Sequence, residues 1–222
     1  LWKSDGTEAG TVLVKDIYGG PSYSFPTQFF GLGDTIYFQA EDGINGRELW
    51  KSDGTEAGTV LVKDIQSGSG SSEPISFTAI GDTLYFTADD GSNGRELWKS
   101  DGTEAGTVLV KSIDQYPERG SSPSDLTAIG GTLYFSAWQD TSLRELWKSD
   151  GTETGTVMVD DIYAGPFYGS APSSLTALGD TLYFSAEYGG LGRELWKSDG
   201  TEAGTVLVKD IYGTIKIGID TL

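Results

Sequence analysis

The sequence has no cysteine and no histidine, one methionine, and only 15 basic residues against 33 acidic ones. Without Cys or His there are no disulfides, no zinc or haem ligation through those side chains, and no Ser-His or Cys-His catalysis within this chain. The missing cysteines do not by themselves settle the compartment. A net charge of −18 argues against nucleic acid and anionic membrane surfaces as partners, since both need basic patches. Solubility is the simplest account of the acidity. No apolar run approaches the ~18 residues of a membrane-spanning helix, so no membrane insertion is expected. Leu1 stands where an initiator Met would, with no charged-then-apolar leader before it. We therefore expect a processed chain or an excerpt, and a removed signal peptide fits that expectation. Glycine, by contrast, is abundant at 32 of 222 positions, which reads as many tight turns between short strands.

What the sequence does have is repetition. A 17-residue string, Leu49-Trp50-Lys51-Ser52-Asp53-Gly54-Thr55-Glu56-Ala57-Gly58-Thr59-Val60-Leu61-Val62-Lys63-Asp64-Ile65, occurs five times almost unchanged, at a spacing of 48 or 49. The copies start at Leu1, Leu49, Leu97, Leu146 and Leu195. A fixed period of this length marks one supersecondary unit stacked on copies of itself, so residues 1–222 are expected to form a single repeat domain.

Within the second unit, Leu49-Trp50-Lys51-Ser52 reads as a strand and 53–58 as turn chemistry, with Asp-Gly accepting positive φ. Residues 59–63 form the next strand, and a loop rich in Ser, Gly and Pro covers 66–75. Strands at 77–80 and 83–88 flank a Gly81-Asp82 turn, and the loop 89–94 returns the chain to Arg95-Glu96-Leu97-Trp98. Each unit thus predicts four short antiparallel strands and no helix. Val60-Leu61-Val62, Leu84-Tyr85-Phe86 and Leu97-Trp98 are apolar on both faces, so each sheet must be covered on both sides. A solenoid of sheets or a ring of blades would do that. The expected fold class is all-β, a five-bladed β-propeller of four-stranded antiparallel blades with the fifth blade incomplete. The tail 217–222 echoes 79–84 and stops where a fourth strand should begin. Three readings stay open: a ring closed around the termini, a window cut from a longer array, or a strand donated by a neighbouring chain.

The string Glu48-Leu49-Trp50-Lys51-Ser52-Asp53-Gly54-Thr55, with Gly58-Thr59-Val60 downstream, resembles the ELWxxDGT repeat family of bacterial secreted or surface proteins, and the resemblance recurs in every unit. It implies an extracellular tandem-repeat protein and brings no catalytic residues. Family copies often place His before the Gly-Arg-Glu segment. Asn45, Asn93, Ser142 and Leu191 occupy that position here, so no metal or acid–base role follows from it.

Several residues are candidates for a site. Trp2, Trp50, Trp98, Trp147 and Trp196 would serve either as sugar-stacking platforms or as core wedges. Their place beside Leu in strands apolar on both faces favours a structural repeat core. The aspartates Asp5, Asp53, Asp101, Asp150 and Asp199 read as turn-formers that accept from their own backbone. The loops 41–46 and 89–94 faintly resemble calcium loops through Asp42, Asn45, Asp89, Asp90 and Asn93. Their counterparts at 138–143 and 187–192 keep the length but lose most of the acids, which favours a fixed turn. No other cofactor is expected. The most variable loops carry Tyr18, Tyr23 and Phe25, then Tyr116, then Tyr163, Phe167 and Tyr168. These are ligand-binding candidates for a glycan or a protein neighbour, or else caps on the sheet ends. The unrepeated carboxylates Glu73, Asp114, Glu118 and Asp125 fall in different units, so no enzyme is expected. The sequence reads as a structural or interaction module, partnered by copies of itself or neighbouring repeats through the incomplete blade and assembling head-to-tail into a filament. A multivalent carbohydrate-binding lectin is the alternative.

Overall fold

The computed structural model describes residues 1–114, 116, 118–139, 143–163, 169–189 and 192–211. Every regular element among them is a strand, all pairing is antiparallel, and no helix there is long and apolar enough to cross a membrane. The first sheet has two strands, β1 (Trp2–Lys3) and β2 (Val12–Leu13). Four four-stranded sheets follow. These are β3–β6 (Thr27–Leu32, Thr35–Glu41, Arg47–Ser52, Val60–Lys63) and β7–β10 (Ile75–Ile80, Thr83–Asp89, Arg95–Ser100, Val108–Lys111). Next come β11–β14 (Ser124–Ile129, Thr132–Trp138, Arg144–Ser149, Val157–Asp160) and β15–β18 (Ser173–Leu178, Thr181–Glu187, Arg193–Ser198, Val206–Lys209).

The four-stranded unit holds, but its phase differs from that of the sequence repeat. The Leu-Trp strand and the strand after it close a sheet opened by the two strands before them, so each 48-residue copy straddles two sheets. The physical reason is loop length. Three connections within a sheet are tight turns that permit ladder pairing, whereas the long segment 64–74 carries the chain to the next sheet. Within the first hairpin Ile80 pairs with Thr83 across Gly81-Asp82. Gly81 has φ +57°, a left-handed value that glycine adopts without steric cost.

The Ser-Asp-Gly-Thr segment builds its own turn. Asp53 Oδ1 accepts from the Thr55 N–H (2.9 Å) and hydroxyl (2.7 Å), and Ser52 Oγ accepts from the Gly54 N–H (3.0 Å). Thr55 Oγ1 accepts from the Gly58 N–H at 3.0 Å, and the Thr59 hydroxyl donates to the Thr55 carbonyl at 2.7 Å. A Cβ on Gly58 would sit 2.0 Å from Asp53 Oδ1, so the carboxylate fills the space that glycine leaves. The motif is thus a closed hydrogen-bond circuit with no spare acceptor requirement.

Sheets stack face to face, as strands apolar on both sides require. Tyr37, Leu49, Val62 and Ile65 of one sheet pack on Leu84, Phe86, Ala88 and Trp98 of the next. The same pairing recurs at the two following interfaces. Lysines join the sheets: Lys51 Nζ donates to the Gly102 carbonyl (2.8 Å) and Lys63 Nζ to the Thr107 carbonyl (3.0 Å).

Candidate functional site

Among the described residues, the repeating interface is uncovered at both ends of the stack. On the last sheet, Leu195 is 40% exposed, whereas its counterparts Leu49, Leu97 and Leu146 are fully buried, and Val208 and Ile211 are exposed as well. These residues correspond to Leu49, Val62 and Ile65, the face that receives the next sheet. At the other end Trp2 is 65% exposed, while Trp50, Trp98, Trp147 and Trp196 are 6% exposed. Trp2 therefore departs from the expectation that all five tryptophans lie in the core. Trp50 lies between Phe38 and Leu61 in its sheet, with Ile17 packed over it. Trp2 pairs with Leu13 alone, because its sheet has only two strands among the described residues.

Beside Trp2 an open groove of ≈ 500 Å³ is lined by Leu13, Tyr23, Phe25 and Phe29. Phe29 is exposed because it lacks the neighbour its counterpart has: Phe77 meets Phe30 of the preceding sheet at 6.4 Å between ring centroids. Tyr23 and Phe25 pair at 5.7 Å and face solvent. The other aromatic candidates do not join them. Tyr18 packs over Gly43, Tyr116 is exposed under the Arg119 guanidinium, and Tyr163 meets Tyr188 at 6.4 Å. Phe167 and Tyr168 lie outside the described residues, as do Ser142, Leu191 and the tail 212–222.

The acidic loops are self-contained turns. Asp42 Oδ1 accepts from the N–H groups of Ile44 and Asn45 (both 2.8 Å), and its Oδ2 accepts from Asn45 Nδ2 at 2.7 Å. Asp90 repeats this with Ser92 and Asn93, and Asp89 Oδ1 accepts from the Gly91 N–H at 2.7 Å. Asn45 and Asn93 thus turn a donor, not an oxygen, toward the carboxylates. Among the described residues no three metal-ligating side chains come together.

Three of the four unrepeated carboxylates are engaged locally or across a sheet boundary. Glu73 Oε2 accepts from Gln39 Nε2 (3.0 Å) and stands 3.8 Å from Arg47. Asp114 accepts from the Tyr116 N–H, and Asp125 Oδ1 accepts from the Ser174 N–H at 2.9 Å.

A buried carboxylate that sequence reasoning passed over recurs immediately before the Leu-Trp pair. Glu48, Glu96, Glu145 and Glu194 are all buried. Glu48 accepts from the Ser72 hydroxyl (2.5 Å), the N–H groups of Ser72 and Ile65 (3.0 Å each) and that of Gln66 (3.3 Å). It therefore pins the long inter-sheet loop to β5. Burial pushes the Glu48 carboxyl up from its ordinary range, against the pull of these hydrogen bonds. The same balance lifts Glu96 and Glu145 to about 7. The signal was present in the sequence as a charged residue repeated inside an apolar strand.

Comparison with known proteins bears on the fold. No family model matches the chain, and no curated protein does. Among solved structures it is similar to a prolyl endopeptidase from a study of inter-domain dynamics in catalysis and specificity, with 18% identity and a TM-score of 0.57 over 92% of this chain and 29% of that one. It is similar also to a puromycin hydrolase S511A mutant complexed with PGG, at 16% identity and TM-score 0.55, covering 91% and 32%. A puromycin-hydrolyzing peptidase of Mycobacterium tuberculosis matches at 14% identity and TM-score 0.55, covering 90% and 30%. The chain spans under a third of the length of these proteins. What is shared is the all-β, blade-like fold. The comparison also corrects the expectation that such a chain is no enzyme, because the proteins with this fold are themselves enzymes.

Proposed function

We propose that the chain is an extracellular interaction scaffold that joins repeats of its own kind, end to end, through the interface that already joins its sheets. One observation carries this reading. The exposed Leu195–Val208–Ile211 face and the exposed Trp2 are the two halves of an interface that is buried wherever both halves are present. A heterologous contact of this kind closes into a ring or extends as a filament, according to its rotation. A five-bladed propeller, whose first sheet is completed by the chain itself or by a neighbour, is the finer architecture we infer. The face-to-face stacking and the 48-residue period support it. The resemblance to ELWxxDGT repeats supports the extracellular setting.

Sedimentation at several concentrations tests the assembly. We expect mass to rise with concentration, more steeply at higher salt, since 18 net negative charges per chain repel at low ionic strength. Trp2→Glu should hold the protein as a monomer. A single monomeric species at every concentration and salt would overturn the reading.

A further inference from the structure

Among the described residues, eight other than glycine have left-handed backbones, and they occupy the same two places in each four-stranded sheet. The first place holds Phe25, Glu73, Ser122 and Ala171, with φ from +42° to +48°. The second holds Gln28, Ser76, Asp125 and Ser174, with φ from +56° to +60°. The first place lies two residues before a sheet's first strand, and the second lies within that strand, where the ladder register slips between Thr27 and Phe30, Ile75 and Thr78, Ser124 and Thr127, and Ser173 and Thr176. Such bulges re-aim side chains.

This chain puts glycine at the other left-handed positions that recur in these four sheets: at Gly33, Gly81, Gly130 and Gly179, and in the Asp-Gly-Thr turns. It never does so at these eight. In three of the four sheets an arginine of the third strand holds the first-place residue. Arg95 Nη1 donates to the Glu73 carbonyl (2.8 Å), Arg144 Nη2 to that of Ser122 (3.1 Å), and Arg193 Nη1 to that of Ala171 (3.0 Å). The side chains at these positions also change from repeat to repeat, as Phe, Glu, Ser and Ala in the first place and Gln, Ser, Asp and Ser in the second. Unfavourable backbone kept at side-chain-bearing residues, in four copies, points from strain to use.

First strands of adjacent sheets lie side by side, with the Thr127 hydroxyl donating to the Leu175 carbonyl (3.1 Å) and the Ser174 N–H to Asp125. The second-place side chains therefore form a continuous polar arc, with Gln28, Asp125 and Ser174 exposed and Ser76 half-buried. We propose that this arc is a binding site for a neutral, hydroxyl-rich ligand, an oligosaccharide laid across successive sheets. Three observations select that class. The Arg95, Arg144 and Arg193 guanidiniums are engaged by backbone carbonyls and Arg47 stands 3.8 Å from the Glu73 carboxylate, so the arginine of each four-stranded sheet already has a partner. No metal-ligating cluster exists among the described residues. Amide, hydroxyl and carboxylate groups match sugar hydroxyls as donors and acceptors, and the exposed Phe25 and Tyr23 at one end offer faces for a pyranose ring. The polar part of the site, from Gln28 to Ser174, involves neither Trp2 nor Leu195, whereas Tyr23 and Phe25 share the groove beside Trp2.

The test is a Gln28→Gly, Ser76→Gly, Ser174→Gly variant, compared with the parent by thermal melting and by titration with neutral gluco-, manno- and galacto-oligosaccharides. The parent should bind at least one series. The variant should melt no lower than the parent, since glycine relieves the left-handed strain, and should bind at least about tenfold more weakly. Absence of binding by the parent, equal binding by the variant, or a clear fall in its melting temperature would each overturn the proposal. The last result would mean that the side chains are there to hold the fold.

Discussion

Glu96 shows how one side chain sets a response of the whole protein. Burial raises its carboxyl to about 7 in the fold, against an ordinary value near 4.5, so the folded state holds a proton that the unfolded chain releases. The associated stability is fully present below about pH 4.5 and declines as pH rises to about 7. Glu145 acts in the same window, and Glu48 in the same direction. The turn aspartates act oppositely: hydrogen bonds from Thr55 and its counterparts hold them below 3.8, so their contribution is lost in strong acid. We expect the melting temperature to peak near about pH 4–5 and to fall toward pH 8. Glu96→Gln should flatten that fall while lowering the peak, because its amide would set a donor against backbone N–H groups. An unchanged slope in melting curves across this range would remove Glu96 from the account. At the tryptophans, position decides. Trp98→Ala should cost ~3–5 kcal/mol by urea denaturation, and Trp2→Ala, on an exposed face, within about 1.

At the scale of elements, the sheets are joined by lysines at or just after each sheet's last strand, and one joint lacks its lysine. Lys15, Lys63 and Lys111 donate to the Thr59, Thr107 and Thr156 carbonyls at 2.7, 3.0 and 2.9 Å. The next copy has Asp160 in that place. Burial, and then the charges of Glu202 and Asp161, push its carboxyl up. An ionised acid cannot donate to the Thr205 carbonyl, so the seam between β14 and the last sheet carries repulsion where its neighbours carry a bond. Asp160→Lys should stabilise by about 1 kcal/mol, or ~2–4 °C in melting temperature for a chain of this size. Lys111→Asp should cost a similar amount. Equal melting points for all three proteins would mean that these lysines contribute nothing. The strands themselves were legible, because a 48-residue period, Gly-Asp turns and runs apolar on both faces all carry physical signatures. Their grouping into sheets was less so. A repeat has no origin, and only the contrast between tight turns and the long segment 64–74 shows where one sheet ends. The left-handed positions were not legible, since Phe25, Glu73, Ser122 and Ala171 share no residue type. At Glu73, Ser122 and Ala171 the carbonyl is held by an arginine some twenty residues further along the chain.

For the whole molecule, the two open faces make a prediction that separates end-to-end joining from other modes of association. Trp2 lies on one half of the repeating interface and Leu195 on the other. Trp2→Glu leaves the Leu195 face intact, and Leu195→Glu leaves the Trp2 face intact. A buried, unpaired carboxylate at either site costs more than the apolar burial returns. Each variant alone should therefore sediment as a monomer. Mixed in equal amounts, they should form a heterodimer and stop there, because one chain contributes each surviving face and no further compatible pair remains. A symmetric contact would behave differently, since the same patch on both partners is spoiled or spared together. Closure of the stack on itself within one chain would leave both faces occupied, and mixing would then produce nothing. Analytical ultracentrifugation of the two variants, separately and together, reads these outcomes directly. A heterodimer that appears only on mixing requires two different complementary ends.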